Sequence, residues 1–180
     1  TSAARPFYHS ADIVELKAIA PEIYIPFVMG HFEKRNRSIS AENVEKAYAL
    51  FQGHTYYIQK TFNESFADTS EGEECTLEII QAAIDNMIAS NDTIFREILS
   101  NIPEKQKELL YAIAKDGEAE HITSADFIKR HSLTSSSSVQ SAVKKLLERD
   151  IITEINKVFS VTDRLFAMWI NKLYGTVLYL

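Results

Sequence analysis

The stretch "SSSVQSAVKKLLERDIITEINKVFSVTD", which begins at Ser136, constrains the fold more than any other part of the chain. In its first half apolar residues recur with helical spacing, at Val139, Ala142, Val143, Leu146 and Leu147. This stripe predicts a helix that packs one face against a core. The second half alternates apolar and polar residues on both sides of Asn156-Lys157, which predicts two short strands joined by a tight turn.

The segments around this stretch complete a recognisable order of elements. "PEKQKELLYAIAKDG" predicts a helix with Pro103 near its first turn and Gly117 at its end. "EHI" is one candidate short strand, and "TSADFIKRH" predicts a short helix in which Thr123 and Asp126 have capping-box spacing. "DRLFAMWINKLY" predicts a closing helix. Helix, strand, helix, turn, helix and hairpin is the order of a winged helix-turn-helix domain, which we assign to residues 101–180.

The first half of the chain also has helical periodicity. We expect an extended connector over residues 1–20, and then a helix from Pro21 whose spaced apolar residues are Ile23, Phe27, Val28 and Phe32. Ser40 is a predicted N-cap, and Gly53 ends the helix that follows it. "TYYIQKTFNESF" predicts another helix, and "ADTSEGEE" an acidic linker of turn-forming residues.

A mostly α fold follows from these patterns. We expect a helical bundle over residues 21–72, bridging helices over residues 73–100 that are kinked or split at "SND" (residues 90–92), and then the winged helix with its small β-hairpin. The apolar end of the chain, residues 173–180, is a candidate for folding back, for docking on another domain, or for a homo-oligomer contact.

Composition excludes several classes of function. No apolar run is long enough to span a membrane, so we expect no membrane partner. Cys75 is the single cysteine, which fits a reducing compartment, and we expect a cytoplasmic protein. The five histidines have no metal-ligand spacing, and the "EGEEC" cluster is better explained as a solvated helix start, so we predict no metal site.

The polar face of the serine-rich helix is a candidate contact surface. Opposite the apolar stripe lie residues suited to DNA or to a partner protein, together with a lysine at the hairpin turn: Ser137, Gln140, Ser141, Lys144, Lys145 and Lys157. A recognition helix presents polar residues to base edges and basic residues to phosphates. The alternative is that the serines cap the helix and the lysines are only solvated, since no arginine on this face can pair with guanine.

Net charge favours the second interpretation, because the helix lacks net positive charge. Residues 1–100 carry 8 basic against 15 acidic side chains, whereas residues 101–180 carry 11 against 10. Binding to a phosphate backbone needs local positive charge, so the first part is a poor candidate and the second part merely permits DNA contact.

Several short motifs occur in the order and spacing of a known family. They are "RPFY" from Arg5, "VELKAI", "FQGHTYYIQ" from Phe51 and, near the end, "FSVTDRLFAMW" from Phe159. They resemble the archaeal-type P-loop ATPases of the AAA+/STAND group. In that family a "PLYGR"-like segment follows the nucleotide-binding core, a "GGHPYYIQ"-like motif lies in a small helical lid over the nucleotide, and a winged helix follows. The resemblance spans the chain from Arg5 to Trp169.

The resemblance implies roles for specific parts of the chain. Residues 21–72 would form the helical lid domain, and residues 1–20 would connect it to a missing ATPase core. Nucleotide sensing would belong to Gly53, His54 and Thr55, where the family has proline at the position of Thr55. ATP and Mg²⁺ are implied as cofactors of the full-length protein, and the ATPase core is implied as a partner.

No nucleotide-binding P-loop occurs in this sequence. With five glycines, none is placed to make G-x-x-x-x-G-K-[ST], the loop that cradles phosphates. We therefore expect no catalytic residue, no cofactor of the chain's own and no ATP hydrolysis by this chain alone. Two hypotheses remain: a regulatory and interaction fragment of a P-loop ATPase, or a stand-alone winged-helix DNA-binding regulator whose helical half dimerises or senses a signal.

Overall fold

The structure, a computed structural model, describes residues 18–174. In this range the chain is mostly helical, as predicted. The first part contains α1 (Pro21–Glu33), β1 (Ser38–Ile39), α2 (Ala41–Leu50), α3 (Thr55–Asp68), β2 (Glu74–Cys75), α4 (Leu77–Ser90) and α5 (Asp92–Ser100). The second part contains α6 (Glu104–Asp116), α7 (Ala125–Arg130), α8 (Ser136–Glu148), β3 (Ile152–Ile155), β4 (Val158–Val161) and α9 (Arg164–Leu173).

Helix α1 begins at Pro21, as predicted, and buries only part of its apolar residues. Tyr24, Val28 and Phe32 are buried, whereas Ile23 and Phe27 are 67% and 57% exposed. The apolar residues whose helical spacing predicted the helix therefore divide between two environments: Val28 and Phe32 face the core, and Ile23 and Phe27 face solvent. The packing of α1 on α2 decides which of them face the interior.

The segment between α1 and α4 folds as a unit with its own short sheet. The predicted N-cap is confirmed, since Ser40 Oγ accepts a hydrogen bond from Asn43 N at 3.1 Å. Strands β1 and β2 pair in parallel, with Ile39 opposite Cys75, and this pairing was not predicted. The predicted acidic linker at residues 67–74 is instead the end of α3, a turn and the first residue of β2.

Helices α4 and α5 connect the two parts of the chain. They are separated at Asn91, within the "SND" stretch where a kink or split was expected. Helix α4 packs on α3 on one side and on α9 on the other. The predicted domain bounds at residues 72 and 100 stay predictions, and of the predicted connector and apolar tail, residues 1–17 and 175–180 lie outside the described residues.

The second part follows the predicted order with two local corrections. Helix α6 follows Pro103 and ends at Gly117, whose φ is +74°. The cap of α7 is Ser124, which accepts from Phe127 N, so the capping box predicted at Thr123 was misplaced by one residue. "EHI" is not a strand: the bridge to the hairpin is made one residue earlier, between Ala119 and Phe159.

The hairpin turn lies where the sequence placed it. Strands β3 and β4 are antiparallel, with Ile155 opposite Val158. Asn156 and Lys157 between them have φ of +52° and +68°, the left-handed geometry of a two-residue hairpin turn. In α8 the predicted stripe also faces inward, with Val139 and Leu146 buried among its members.

Helix α9 lies at the centre of the packing. It contacts α4, α5, α6 and β4, and the run from Leu165 to Ile170 is buried on all sides. The Phe95 ring of α5 lies 5.2 Å from Phe166 and 5.7 Å from Trp169 between ring centroids. Trp169 Nε1 donates to Asp92 Oδ1 at 2.9 Å. Across residues 18–174, no helix has the length and apolarity needed to cross a membrane.

We predict that Ile84→Ala in α4 lowers the free energy of unfolding by about 2–5 kcal/mol, because the fully buried side chain leaves a cavity. Urea unfolding followed by circular dichroism measures the change. Ile94→Ala is the matched control, since Ile94 is 55% exposed and its truncation should cost much less. Equal losses for the two variants would contradict the packing described here.

Candidate functional site

A cleft of about 470 Å³ separates the turn before α3 from the β3–β4 hairpin. One wall is the segment from Phe51 to Tyr56, and the other is formed by both strands and the first residue of α9. Ala18 lines the same cleft. The polar side chains that line it are Gln52, His54, Thr55, Tyr56, Thr153, Ser160, Thr162 and Arg164. The cleft thus brings together two parts of the chain that are about a hundred residues apart in sequence.

The turn that forms the first wall requires glycine at position 53. Gly53 has a φ of +75°. A Cβ atom there would lie 2.7 Å from Tyr48 Oη and 2.8 Å from Ala18 Cβ, closer than packed atoms approach. Tyr48 Oη in turn donates to the Ile19 carbonyl at 2.6 Å. The glycine therefore allows the chain before α1 to pass directly against this turn.

Helix α3 begins at the cleft with its N-terminal N–H groups uncapped. His54 is the N-cap residue, and within the described structure its side chain makes no capping hydrogen bond. Its ring instead lies 4.7 Å from the Tyr57 ring. The first turn contains no acidic side chain among these described residues. The partial positive charge of a helix N-terminus therefore lies beside Thr55 and favours an anionic group there.

Arg164 is the charged member of the cleft lining. Its side chain is half-buried, and Nη2 donates to the Leu50 carbonyl at 3.4 Å. Burial lowers the pKa of the guanidinium, and the charge of Glu118 partly opposes that shift. Gln52 Nε2 also donates to Glu118, at 2.9 Å. Sequence reasoning missed Arg164, although it lies within the "FSVTDRLFAMW" motif.

A hydrogen bond between Tyr57 and Asp163 joins the two walls just behind the cleft. Tyr57 Oη donates to Asp163 Oδ2 at 2.8 Å. The other oxygen, Oδ1, caps α9 by accepting from Leu165 N and Phe166 N. Burial, reinforced by this hydrogen bond, raises the pKa of Tyr57. The two motifs "GHTYYIQ" and "FSVTD" each contain one partner, but nothing in their sequence indicates that the partners meet.

The residues predicted to sense nucleotide and those predicted to contact DNA lie in different places. Gly53, His54 and Thr55 line the cleft. The polar side chains of α8 lie on an exposed face that does not line it, and Lys157 is exposed at the hairpin turn. Ser135 Oγ caps α8 by accepting from Ser138 N. The capping serine thus precedes the predicted contact residues of α8, which are themselves exposed.

The residues that the structure describes offer neither a metal-ligand cluster nor an activated cysteine. Residues 18–174 contain no group of His, Cys, Asp and Glu side chains that could hold a metal ion. Cys75 is buried, and burial raises the pKa of its thiol, which disfavours the reactive thiolate.

Residues 93–172 match a family model described as "Probable winged helix domain". The second half of this chain is a winged-helix domain. The match begins within α5 and ends in α9, and it covers less than half of the chain. The α6–α9 region with its hairpin is therefore the winged helix expected from the sequence.

A Walker-type ATPase of Pyrococcus abyssi has a similar structure. The TM-score is 0.61 at 12% sequence identity, and the similarity covers 83% of this chain and 41% of that one. At this identity the similarity shows the fold alone. Because it covers more than the winged helix, it extends into the helical part before residue 93. The chain spans less than half the length of that ATPase, and no curated protein sequence matches it.

We predict that Tyr57→Phe lowers the free energy of unfolding by about 1 kcal/mol. It removes a hydrogen bond to a carboxylate but keeps the ring, and partial exposure to solvent reduces the effect. Urea unfolding measures the loss. Tyr56→Phe is the control: this neighbouring side chain is 61% exposed, so its hydroxyl should contribute little. If the two variants unfold alike, the Tyr57–Asp163 bond does not hold the walls together.

Proposed function

We propose that this chain is the lid and winged-helix part of a P-loop ATPase of the AAA+/STAND group, regulatory rather than catalytic. The observation that carries the proposal is the structural similarity to a Walker-type ATPase, which extends through both the helical part and the winged helix. The motif resemblance supports the same assignment. The absence of a P-loop from the sequence fits a chain that acts on a nucleotide-binding core rather than performing hydrolysis.

The chemistry of the cleft fits a nucleotide phosphate or the nucleotide-bound core. Its charged residue is the cationic Arg164, and the uncapped N-terminus of α3 adds partial positive charge. The described cleft lining itself contains no acidic side chain, although Glu118 lies beside it, hydrogen-bonded to Gln52 and close enough for its charge to act on Arg164. The same absence means that Mg²⁺ would be held by the core and by ATP rather than by this chain. ATP would supply the phosphoryl group. The cleft residues would orient that group and would respond to its presence.

The cleft is lined by both the helical part and the winged helix, so a contact with nucleotide on one side would be coupled to the position of the other side. The side that contacts nucleotide, at His54 and Thr55, is linked to the start of α9 through the Tyr57–Asp163 bond. Movement of the α2–α3 turn would therefore be transmitted to the hairpin and to the exposed face of α8. In this proposal the winged helix presents that face to a protein or DNA partner.

His54→Ala in the protein expressed from the complete gene should weaken ATP binding by about tenfold, because one side-chain contact at the cleft is lost. Isothermal titration measures the affinity, and Gln140→Ala, which changes an exposed polar residue outside the cleft, should leave it unchanged. The 180-residue chain alone should show no ATP hydrolysis. Hydrolysis by that chain, or identical affinities for His54→Ala and the unmodified protein, would contradict the proposal.

A second candidate function is DNA binding through the winged helix, favoured by the exposed polar face of α8. Ser137, Gln140, Ser141, Lys144 and Lys145 are all exposed on one side of that helix. Lys145 forms an ion pair with Glu148 at 2.8 Å, which reduces the positive charge available to phosphate. The electrostatic contribution to DNA binding would then depend mainly on Lys144 and, at the hairpin turn, Lys157.

Replacing Lys144 and Lys145 together with alanine tests this candidate. If the lysines contact phosphates, affinity for duplex DNA should fall for all sequences, and the slope of log affinity against log salt should shrink by about 0.9 per lost contact. Lys46→Ala combined with Lys60→Ala is the control, with the same change in net charge on α2 and α3. Fluorescence anisotropy at several salt concentrations measures both quantities. Equal effects of the two double variants would exclude α8 as the DNA contact.

A further inference from the structure

An open apolar groove of about 510 Å³ runs between α1 and α3, on a part of the molecule that the proposed function does not use. Its aromatic floor includes Tyr24, Phe32, Phe62 and Phe66. The rings of Tyr24 and Phe62 lie 6.4 Å apart, and those of Phe32 and Phe66 lie 5.2 Å apart in an edge-to-face arrangement. Tyr24, Phe32 and Phe62 are themselves buried, so the aromatic surface that the groove offers to solvent comes from the exposed Phe27 and the half-buried Phe66.

One edge of this groove carries a large apolar side chain exposed to solvent. Phe27 lines the groove and is 57% exposed, with its ring 4.7 Å from the His31 ring. Ile23, one turn earlier on α1, is 67% exposed. Two large exposed apolar residues that lie one helical turn apart, beside an aromatic groove, are typical of an interaction surface.

The charge on the groove lining is positive. Among the described residues that line it, Arg35 is cationic and none is acidic. Arg37 adds to this end of the groove, because its guanidinium carbon lies 4.4 Å from the centre of the Phe66 ring. This local basic character contrasts with the whole chain, whose net charge is −6. This local positive charge is complementary to an acidic partner, in spite of the overall charge of the protein.

The dimensions of the groove suit an α-helix. The α1 side extends from Tyr24 to Phe32, about 12 Å at the helical rise, and Arg35 lies in the turn that follows the helix. The α3 side extends from Gln59 to Phe66, about 10 Å. About two turns of a partner helix fit such a length, with apolar anchors at i, i+3, i+4 and i+7 facing the groove. Flanking glutamates or aspartates would reach Arg35 and His31.

We propose that this groove binds an acidic amphipathic helix of a partner protein. Phe27 acts as the apolar anchor, and Arg35 selects the acidic flank of the helix. This inference does not rest on the proposed ATPase role, since it uses neither the cleft nor α8.

The test uses two designed peptides of about 18 residues, or five helical turns, each with leucines at a/d-like spacing. One has glutamates on the flanks of the leucine stripe, and the other has lysines at the same positions. Binding to the full 180-residue chain is measured by fluorescence anisotropy. Non-specific attraction to a chain of net charge −6 would favour the lysine peptide, so a preference for the glutamate peptide identifies the groove.

Two variants locate the binding. Phe27→Ala should weaken the glutamate peptide by about tenfold or more, as expected for an aromatic anchor, and Arg35→Glu should weaken it to a similar extent. Lys34→Glu is the matched control for Arg35→Glu, since it makes the same charge change at an adjacent exposed residue that does not line the groove. Circular dichroism checks that the variants fold. We expect them to fold because Phe27, Lys34 and Arg35 are exposed.

Three outcomes would overturn the proposal. The first is equal or weaker binding of the glutamate peptide compared with the lysine peptide. The second is an unchanged affinity in either Phe27→Ala or Arg35→Glu. The third is self-association of the unmodified chain in analytical ultracentrifugation that Phe27→Ala abolishes, which would make a second copy of the chain the occupant of the groove.

Discussion

The burial of α9 on all of its sides is the constraint on which the rest of the structure depends. A surface helix needs only one apolar stripe, but α9 has six consecutive buried residues from Leu165 to Ile170. Such a helix can be stable only if other elements surround it. Helices α4 and α5 come from the first part of the chain, while α6 and β4 come from the second, and all four pack against α9. The core is therefore shared, and the two parts are fixed relative to each other.

The geometry of the cleft depends on this shared helix. Asp163 caps α9 and accepts a hydrogen bond from Tyr57, and Arg164 is the first residue of the helix. The cleft side chains of the hairpin wall are thereby held against the α2–α3 turn. Gly53 adds a second restraint, because its missing side chain lets Ala18 approach. A site built from a loop and a hairpin thus obtains its rigidity from a buried helix behind it.

Local patterns in the sequence predicted the elements that depend on local physics. The stripe of α8, the cap at Ser40 and the Asn156-Lys157 turn follow from helical period, side-chain capping and left-handed backbone geometry. The exposed face of α1 could not be predicted, because Ile23 and Phe27 have the same spacing as the buried residues. The β1–β2 pairing has two residues in each strand, too few for an alternating pattern to be visible. Of the cleft, the turn at Gly53 to Thr55 was singled out from a motif, whereas Arg164 and the Tyr57–Asp163 bond depend on contacts across more than a hundred residues.

The proposed role of this helical part and winged helix is to serve a Walker-type nucleotide-binding core. Sequencing the gene upstream of the codon for Thr1, over about 200 codons, tests it most directly, since that is the length of a typical domain. We predict an apolar strand followed by G-x-x-x-x-G-K-[ST] in that region, encoding the phosphate-binding loop that this chain lacks. A start codon immediately before Thr1 would contradict the claim and would leave the winged helix as a DNA-binding or protein-binding module in its own right.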